Sequence, residues 1–263
     1  RRNKKQRSEP ETVETEDRLA TDDAALADDD TAEAEPADDS PELSPADELA
    51  RLDELEWRAD GPWDISEIDY LESTEGRPRI DLGSIVLTGV PGSELRLQVA
   101  EETNQIISAM LVIETIVVTE GGGPESYSSA LELGAYAAPR SGGLWAELRD
   151  DISASAAAEG GSASMAEGPF GVELRRLMPV TTPDGEQGYQ PSRMWVAEGP
   201  RWLLRGIVYG QAAIEEDLES PVVAEVLDAF RQVVVRRGDE AMAPGDLLPL
   251  TMPANATAEA DGS

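Results

Sequence analysis

The chain has 263 residues, 54 of them acidic against 21 basic, and a formal net charge of -33. That charge repels nucleic-acid phosphates and anionic lipid, so no nucleic-acid partner is expected. The absence of cysteine and histidine excludes disulfides, thiolate nucleophiles, imidazole bases and Ser-His-Asp triads.

The only lysines, Lys4 and Lys5, sit near the start of the chain. A Walker or Schiff-base lysine in the folded part is therefore excluded. The basic opening "RRNKKQR" is followed by acidic residues and not by an apolar stretch, so no signal peptide is expected. Runs such as "TDDAALADDDTAEAEPADDSPE" have almost nothing to bury against an ordering cost of about 1–2 kcal/mol per residue. Residues 1–45 are read as a disordered tail, basic and then acidic.

"SPADELARLDELEWR" predicts a short amphipathic helix over residues 46–58. Ser44 suits the cap, Pro45 the first turn, and Leu49, Leu52 and Leu55 one face. That helix, or the tail before it, is the candidate surface for a protein partner. Gly61-Pro62 then breaks the pattern and opens the folded body.

Strands dominate from there. "RIDLGSIVLTGV" reads as two short extended segments. "SELRLQVAEETNQIISAMLVIE" reads as a hairpin turning at "EETNQ", with "TIVVTE" extending the second strand. "SYSSALELGAYAAPR" is a strand whose alternation is read through Tyr127, Ala130 and Leu133. "SGGLWAELRDDISASAAAEGG" is the best helix, with Leu144, Trp145, Leu148 and Ile152 in one stripe and Gly160-Gly161 as its stop.

"GPFGVELRRLMPV" is the next strand, and Pro183-Asp184-Gly185 a turn. "SRMWVAEGPRWLLRGIVYG" supplies two strands around Glu198-Gly199-Pro200. "ESPVVAEVLDAF" is a second helix, capped by Ser220 with Pro221 in its first turn. "RQVVVRRG" is a last strand. Residues 254–263 read as a second disordered tail. The expected fold is α+β over residues 59–253, one domain with a largely antiparallel sheet and two main helices packed on it. The order of elements resembles the Mog1 and PsbP-like fold, an analogy of architecture that carries no function.

Two stretches offer themselves to an anion. In "AAPRSGGLW", Arg140 precedes Ser141, Gly142 and Gly143 at a helix start, where backbone amides can hold phosphate. The glycine spacing matches no P-loop or dinucleotide fingerprint, and an ordinary helix cap is the simpler reading. In "GPRWLLRG", strand alternation sets Trp202, Leu204 and Gly206 on one face and Arg201, Leu203 and Arg205 on the other. Those arginines either pair with carboxylates on neighbouring strands or gather, with Arg193, around an anionic ligand. Arg175 and Arg176 in "GVELRRL" pose the same choice. No catalytic residue, cofactor or metal site is assigned: carboxylates are everywhere in so acidic a chain, and no spacing matches an EF-hand.

The blocks "GPWDISEID", "RIDLGSIVL", "AAPRSGGLWAELR", "GPFGVELRRLMPV", "EGPRWLLRGIVYG" and "VVVRRGDEAMAPGDLLPLTMP" span residues 57 to 253. In this order they resemble an actinobacterial family of unknown function that is often encoded beside dUTPase. The resemblance implies no catalytic residues; the gene neighbourhood hints at nucleotide metabolism or housekeeping. The expectation is a cytoplasmic, non-enzymatic protein-interaction module with no membrane-spanning segment. The alternative is a binder of, or enzyme on, a small anionic metabolite such as a nucleotide, acting through Arg140, Ser141, Gly142, Gly143, Arg201 and Arg205.

Overall fold

A computed structural model describes residues 44–69, 76–118 and 121–253. The tails expected at 1–45 and 254–263 lie outside these residues, apart from Ser44 and Pro45. Helix α1 (Pro45–Asp53) leads to three short strands, β1 (Trp63–Asp64), β2 (Arg79–Asp81) and β3 (Ile85–Thr88). Three longer strands follow: β4 (Glu94–Val99), β5 (Ile106–Val118) and β6 (Pro124–Ala137). Helix α2 (Leu144–Ala158) precedes β7 (Ser162–Gly168), β8 (Gly171–Thr181), β9 (Gln187–Gly199) and β10 (Trp202–Gly210). Helices α3 (Gln211–Ile214) and α4 (Pro221–Arg231) and strand β11 (Val234–Val235) complete the order. The fold is α+β and mostly antiparallel.

The main sheet has seven strands in the order β4-β5-β6-β10-β9-β8-β7, every neighbouring pair antiparallel. A second sheet, β1-β11-β3-β2, contains one parallel pair, β1 with β11. Period-2 alternation gives the main sheet two distinct faces. One face carries Leu111, Ile113, Leu131, Leu133, Trp195, Trp202, Leu204 and Val208, packed with α4 and with Ile85, Leu87 and Val235 of the small sheet. The other carries Leu174, Met194, Val196, Leu203 and Ile207, packed with Leu144 and Trp145 of α2. The alternation in β6 runs through Tyr127, Ser129, Leu131 and Leu133. Ala130, which the sequence placed with Tyr127 and Leu133, turns to the opposite face, because its register partner is Tyr209.

Three aromatic rings fix α4 on its face. Phe230 meets Phe170 at 4.7 Å and Trp195 at 6.0 Å between centroids. The Phe230 ring lies directly on Gly206: a Cβ there would come within 2.6 Å of it. The helix starts at Pro221, but the Ser220 side chain makes no capping bond. Trp202 ties the two sheets together, its indole nitrogen donating to the buried Asp64 carboxylate on β1 at 2.7 Å.

Helix α1 ends at Asp53, short of the 46–58 expected. The last turn tightens, with the Glu54 amide on the Arg51 carbonyl and the Leu55 amide on that of Leu52. The Trp57 indole then takes the Leu52 carbonyl at 2.7 Å, and Asp53 pairs bidentately with Arg149 of α2 at 2.6 and 2.7 Å. Leu52 is buried, so the apolar side of α1 docks on its own domain. Among the described residues, no helix is long and apolar enough to cross a membrane.

Strand β5 contains a bulge. Gln98 pairs with Ser108 and Val99 with Ile106, leaving Ile107 as the extra residue. The register of β5 with β6 begins only at Ala109. Beyond it, residues 245–250 run beside β6 instead. The Ala137 amide donates to the Asp246 carbonyl and the Leu248 amide to the Ala135 carbonyl, each at 2.8 Å. Leu250 bridges to Ile106 and Gly83.

Candidate functional site

The turn joining β9 to β10 consists of Pro200 and Arg201, between the paired residues Gly199 and Trp202. Arg201 has φ 64°, in the left-handed region where the second position of a proline-led turn favours glycine. Arg201 is thus a turn residue and does not share a strand face with Arg205. Its carbonyl is held by the Ala138 amide at 3.0 Å and by Arg237 Nε at 3.1 Å. Its guanidinium has no ion-pair partner among the described residues. Arg201→Gly is therefore expected to raise stability by about 1 kcal/mol, because it removes left-handed strain without breaking a charge pair. Urea unfolding checks this; a loss of stability would show that the Arg201 side chain holds the turn.

The helix start at Arg140–Gly143 already has an anion of its own. Gly143, at φ 83°, is the cap of α2. Its amide and that of Leu144 donate to the two oxygens of Glu198 at 3.0 and 2.9 Å. This carboxylate sits where the helix dipole and free amides favour negative charge. Ser141 Oγ makes only a long 3.5 Å contact to the Gly142 carbonyl. Beside this cap is a cleft of about 300 Å³, whose lining includes Asp53, Glu56, Trp57, Trp145, Phe170 and Glu198. The one arginine in its lining, Arg58, is already paired with Glu67, and its carboxylates make it a poor place for a second anion.

Arg205 is elsewhere, four residues along β10 from Arg201, about 13 Å at the rise of a strand. It projects from the α2 face of the sheet. Its guanidinium lies over the Tyr136 ring at 5.1 Å and reaches Glu132 at 3.8 Å, too long for a hydrogen bond. Glu132 also accepts a bond from the Tyr209 hydroxyl at 3.2 Å. Burial pushes the Tyr136 and Tyr209 hydroxyls above the ordinary tyrosine range.

The six sequence candidates therefore do not converge. Arg140, Ser141, Gly142, Gly143 and Arg201 lie at one end of the sheet, and Arg205 lies within its face. Arg193 and Arg175 turn to the opposite face, where both bind Glu173. Glu173 accepts from Arg193 Nε and Nη2 at 3.0–3.1 Å, from Arg175 Nε at 2.8 Å and from Trp195 Nε1 at 2.8 Å. Arg193 Nη1 donates to the Glu215 carbonyl at the end of α3. Glu173 and Arg193 are 1% and 2% exposed, so this network is part of the core and not a ligand groove.

Glu132, Glu173 and Glu198, the carboxylates that organise these arginines and amides, carry no local sequence signal. Glu198 caps a helix that begins 54 residues earlier. Among the described residues, no three carboxylates are grouped to hold a metal ion.

No curated protein and no solved structure matches the chain, so the Mog1 and PsbP-like analogy stands on the order of elements alone. Residues 61–259 match the family described as a protein of unknown function, DUF3710. With three quarters of its length inside that match, and nearly all of its folded body, the chain belongs to the DUF3710 family.

Proposed function

We propose that this protein is a cytoplasmic, actinobacterial protein-interaction module without catalytic activity, and that its partner docks on the open side of the main sheet. The observation that carries this reading is incomplete cover. Helix α2 packs over β7 and β8, while on the same face β5 presents half-buried Met110 and Val112 and exposed Ile116 and Val118. Ile116 and Val118 are 67% and 72% exposed. They pair with Ser126 and Pro124 on β6, beyond the point where β10 ends at Gly210 opposite Ser129.

Glu94 and Glu114 flank these apolar residues on the same face. A partner with an apolar centre and a basic rim complements them, in keeping with the charge of the whole chain. The dUTPase neighbourhood of the family that the sequence resembles suggests nucleotide housekeeping as the setting. The absence of histidine and cysteine removes the commonest bases and nucleophiles and favours binding over chemistry.

The test places a photo-cross-linking residue at Val112, Ile116 or Asp151 in the full chain, in cells of its source. One common adduct from Val112 and Ile116 is expected, absent from Asp151 on α2, with the Val112 adduct lost in the Ile116→Lys, Val118→Lys double variant. Adducts from Asp151 alone, or adducts that survive the double variant, would refute the docking face.

A further inference from the structure

Arg176 and Arg205 share the α2 face of the sheet. Arg176 on β8 pairs with Ser192 on β9, and Arg205 on β10 pairs with Val196 on β9. The residue opposite Ser192 on β10 is Tyr209, one step beyond the Val208–Arg193 pair. Ser192 is small and buried, so the floor between Tyr209 and Arg176 is low. Arg176 thus stands two strands across from Tyr209 and Arg205 four residues from it along β10, and both act electrostatically on the Tyr209 hydroxyl.

Their charge is poorly matched. The Nε atoms of both Arg176 and Arg205 are buried without a hydrogen-bond partner. Arg176 has no carboxylate at ion-pair distance among the described residues, and Arg205 has only Glu132 at 3.8 Å. Glu132 is itself engaged by Tyr209. Across the sheet the contrast is plain: Glu173 meets Arg193 and Arg175 with four bonds at 2.8–3.1 Å. In a chain with 54 acidic residues, two half-buried cations left without a close carboxylate are unusual, since guanidinium N–H groups are costly to bury unbonded.

Arg205 is also held in place before any ligand arrives. Its guanidinium lies over the Tyr136 ring, a cation–π arrangement. The Tyr136 hydroxyl in turn lies over Gly134, where a Cβ would stand 3.2 Å from it. Gly134 is the register partner of Arg205. The missing side chain leaves room for the ring, and the ring supports the arginine.

We infer that Arg176, Arg205 and Tyr209 form a binding site for the oxyanion of a small molecule, a phosphate or a carboxylate, with Glu132 as the internal group that the ligand displaces. Arginine forks fit both oxyanions, and the Tyr209 hydroxyl, released from Glu132, donates a third bond. This site goes beyond the docking face and does not depend on it.

The experiment follows thermal unfolding of the full chain with increasing inorganic phosphate at constant ionic strength. Glutamate-rich peptide, at matched ionic strength, forms a second arm. Phosphate is expected to raise the midpoint saturably. Arg176→Met and Arg205→Met should each remove the rise. Glu132→Gln keeps both arginines and removes the internal competitor, so it should tighten phosphate binding about tenfold, a change of about 1.4 kcal/mol. A purely structural Glu132 would not produce that gain.

The site is refuted if phosphate gives no rise in the parent, if the rise persists in the arginine variants, or if Glu132→Gln leaves affinity unchanged or weaker. A rise with the peptide and none with phosphate also refutes it, and assigns the arginines to a macromolecular partner. Should an arginine variant fail to fold, the Glu132→Gln titration decides alone.

Discussion

Glu173→Gln is expected to cost about 3–5 kcal/mol of unfolding free energy, the range for removing one member of a buried ion pair. The neutral amide cannot match the charge of Arg193, which is 2% exposed, and it presents only one acceptor oxygen. Arg193 Nε and Nη2, Arg175 Nε and the Trp195 indole all now converge on two carboxylate oxygens. Arg175 can fall back on Glu216, already 3.4 Å away, but Arg193 has only the Glu215 carbonyl left. The matching double variant, Glu173→Leu with Arg193→Met, should recover most of the loss, because a well-packed apolar pair is often neutral or better. Urea unfolding of Glu173→Leu, of Arg193→Met and of the double variant closes the cycle. A double variant as unstable as the sum of the singles would mean that the two charges are not coupled.

Trp145→Ala is expected to lose about 3–5 kcal/mol, as for other buried aromatic truncations. The core beneath α2 is small: Leu144, Trp145, Leu174, Met194, Val196, Leu203 and Ile207 make up its buried part. Trp145 is its largest member, at 6% exposure. Its indole nitrogen also donates to the Val172 carbonyl at 2.7 Å, so truncation leaves a cavity and unties α2 from β8. Trp145→Phe keeps most of the ring and loses that bond, so it should cost only about 1 kcal/mol. Denaturant midpoints separate the two effects. A loss below about 1 kcal/mol for Trp145→Ala would show that α2 is held by Arg149–Asp53 and not by this ring.

Elements with strong periodicity and glycine or proline at their ends were legible in the sequence. Leu144, Trp145, Leu148 and Ile152 mark α2, and Gly199-Pro200 marks the β9–β10 hairpin. Strand β7 was not legible: "SASMAEG" has the small, weakly strand-forming residues of an edge strand, and only pairing with β8 makes it one. Helix α3 is a single turn after Gly210 and leaves no period to read. The end of α1 was set by Trp57 and Arg149, contacts that local pattern does not contain. The site reading failed for a similar reason. A serine and two glycines before a helix suggest an open anion cradle, and only the tertiary fold reveals that Glu198 already fills it. Arg205 was found from alternation, but its grouping with Tyr209 and Arg176 depends on the order β10-β9-β8, which sequence alone does not supply.

The bulge at Ile107 acts on β5 as a change of phase. Ile106 and Ala109 are three residues apart, yet both belong to the same core; an unbroken strand would turn one of them outward. The same extra residue bends β5 away from β6, and the slot that opens is the seat of residues 245–250. Deleting Ile107 would therefore do more than shorten a strand by one residue. It would set Ile106 two places from Ala109, a regular ladder with Ile106 still on the core face, and would remove the bend that opens the gap into which Leu248 and Leu250 fit. The last described stretch of the chain, more than a hundred residues downstream in the sequence, thus owes its berth to a single-residue phase slip near the start of the sheet.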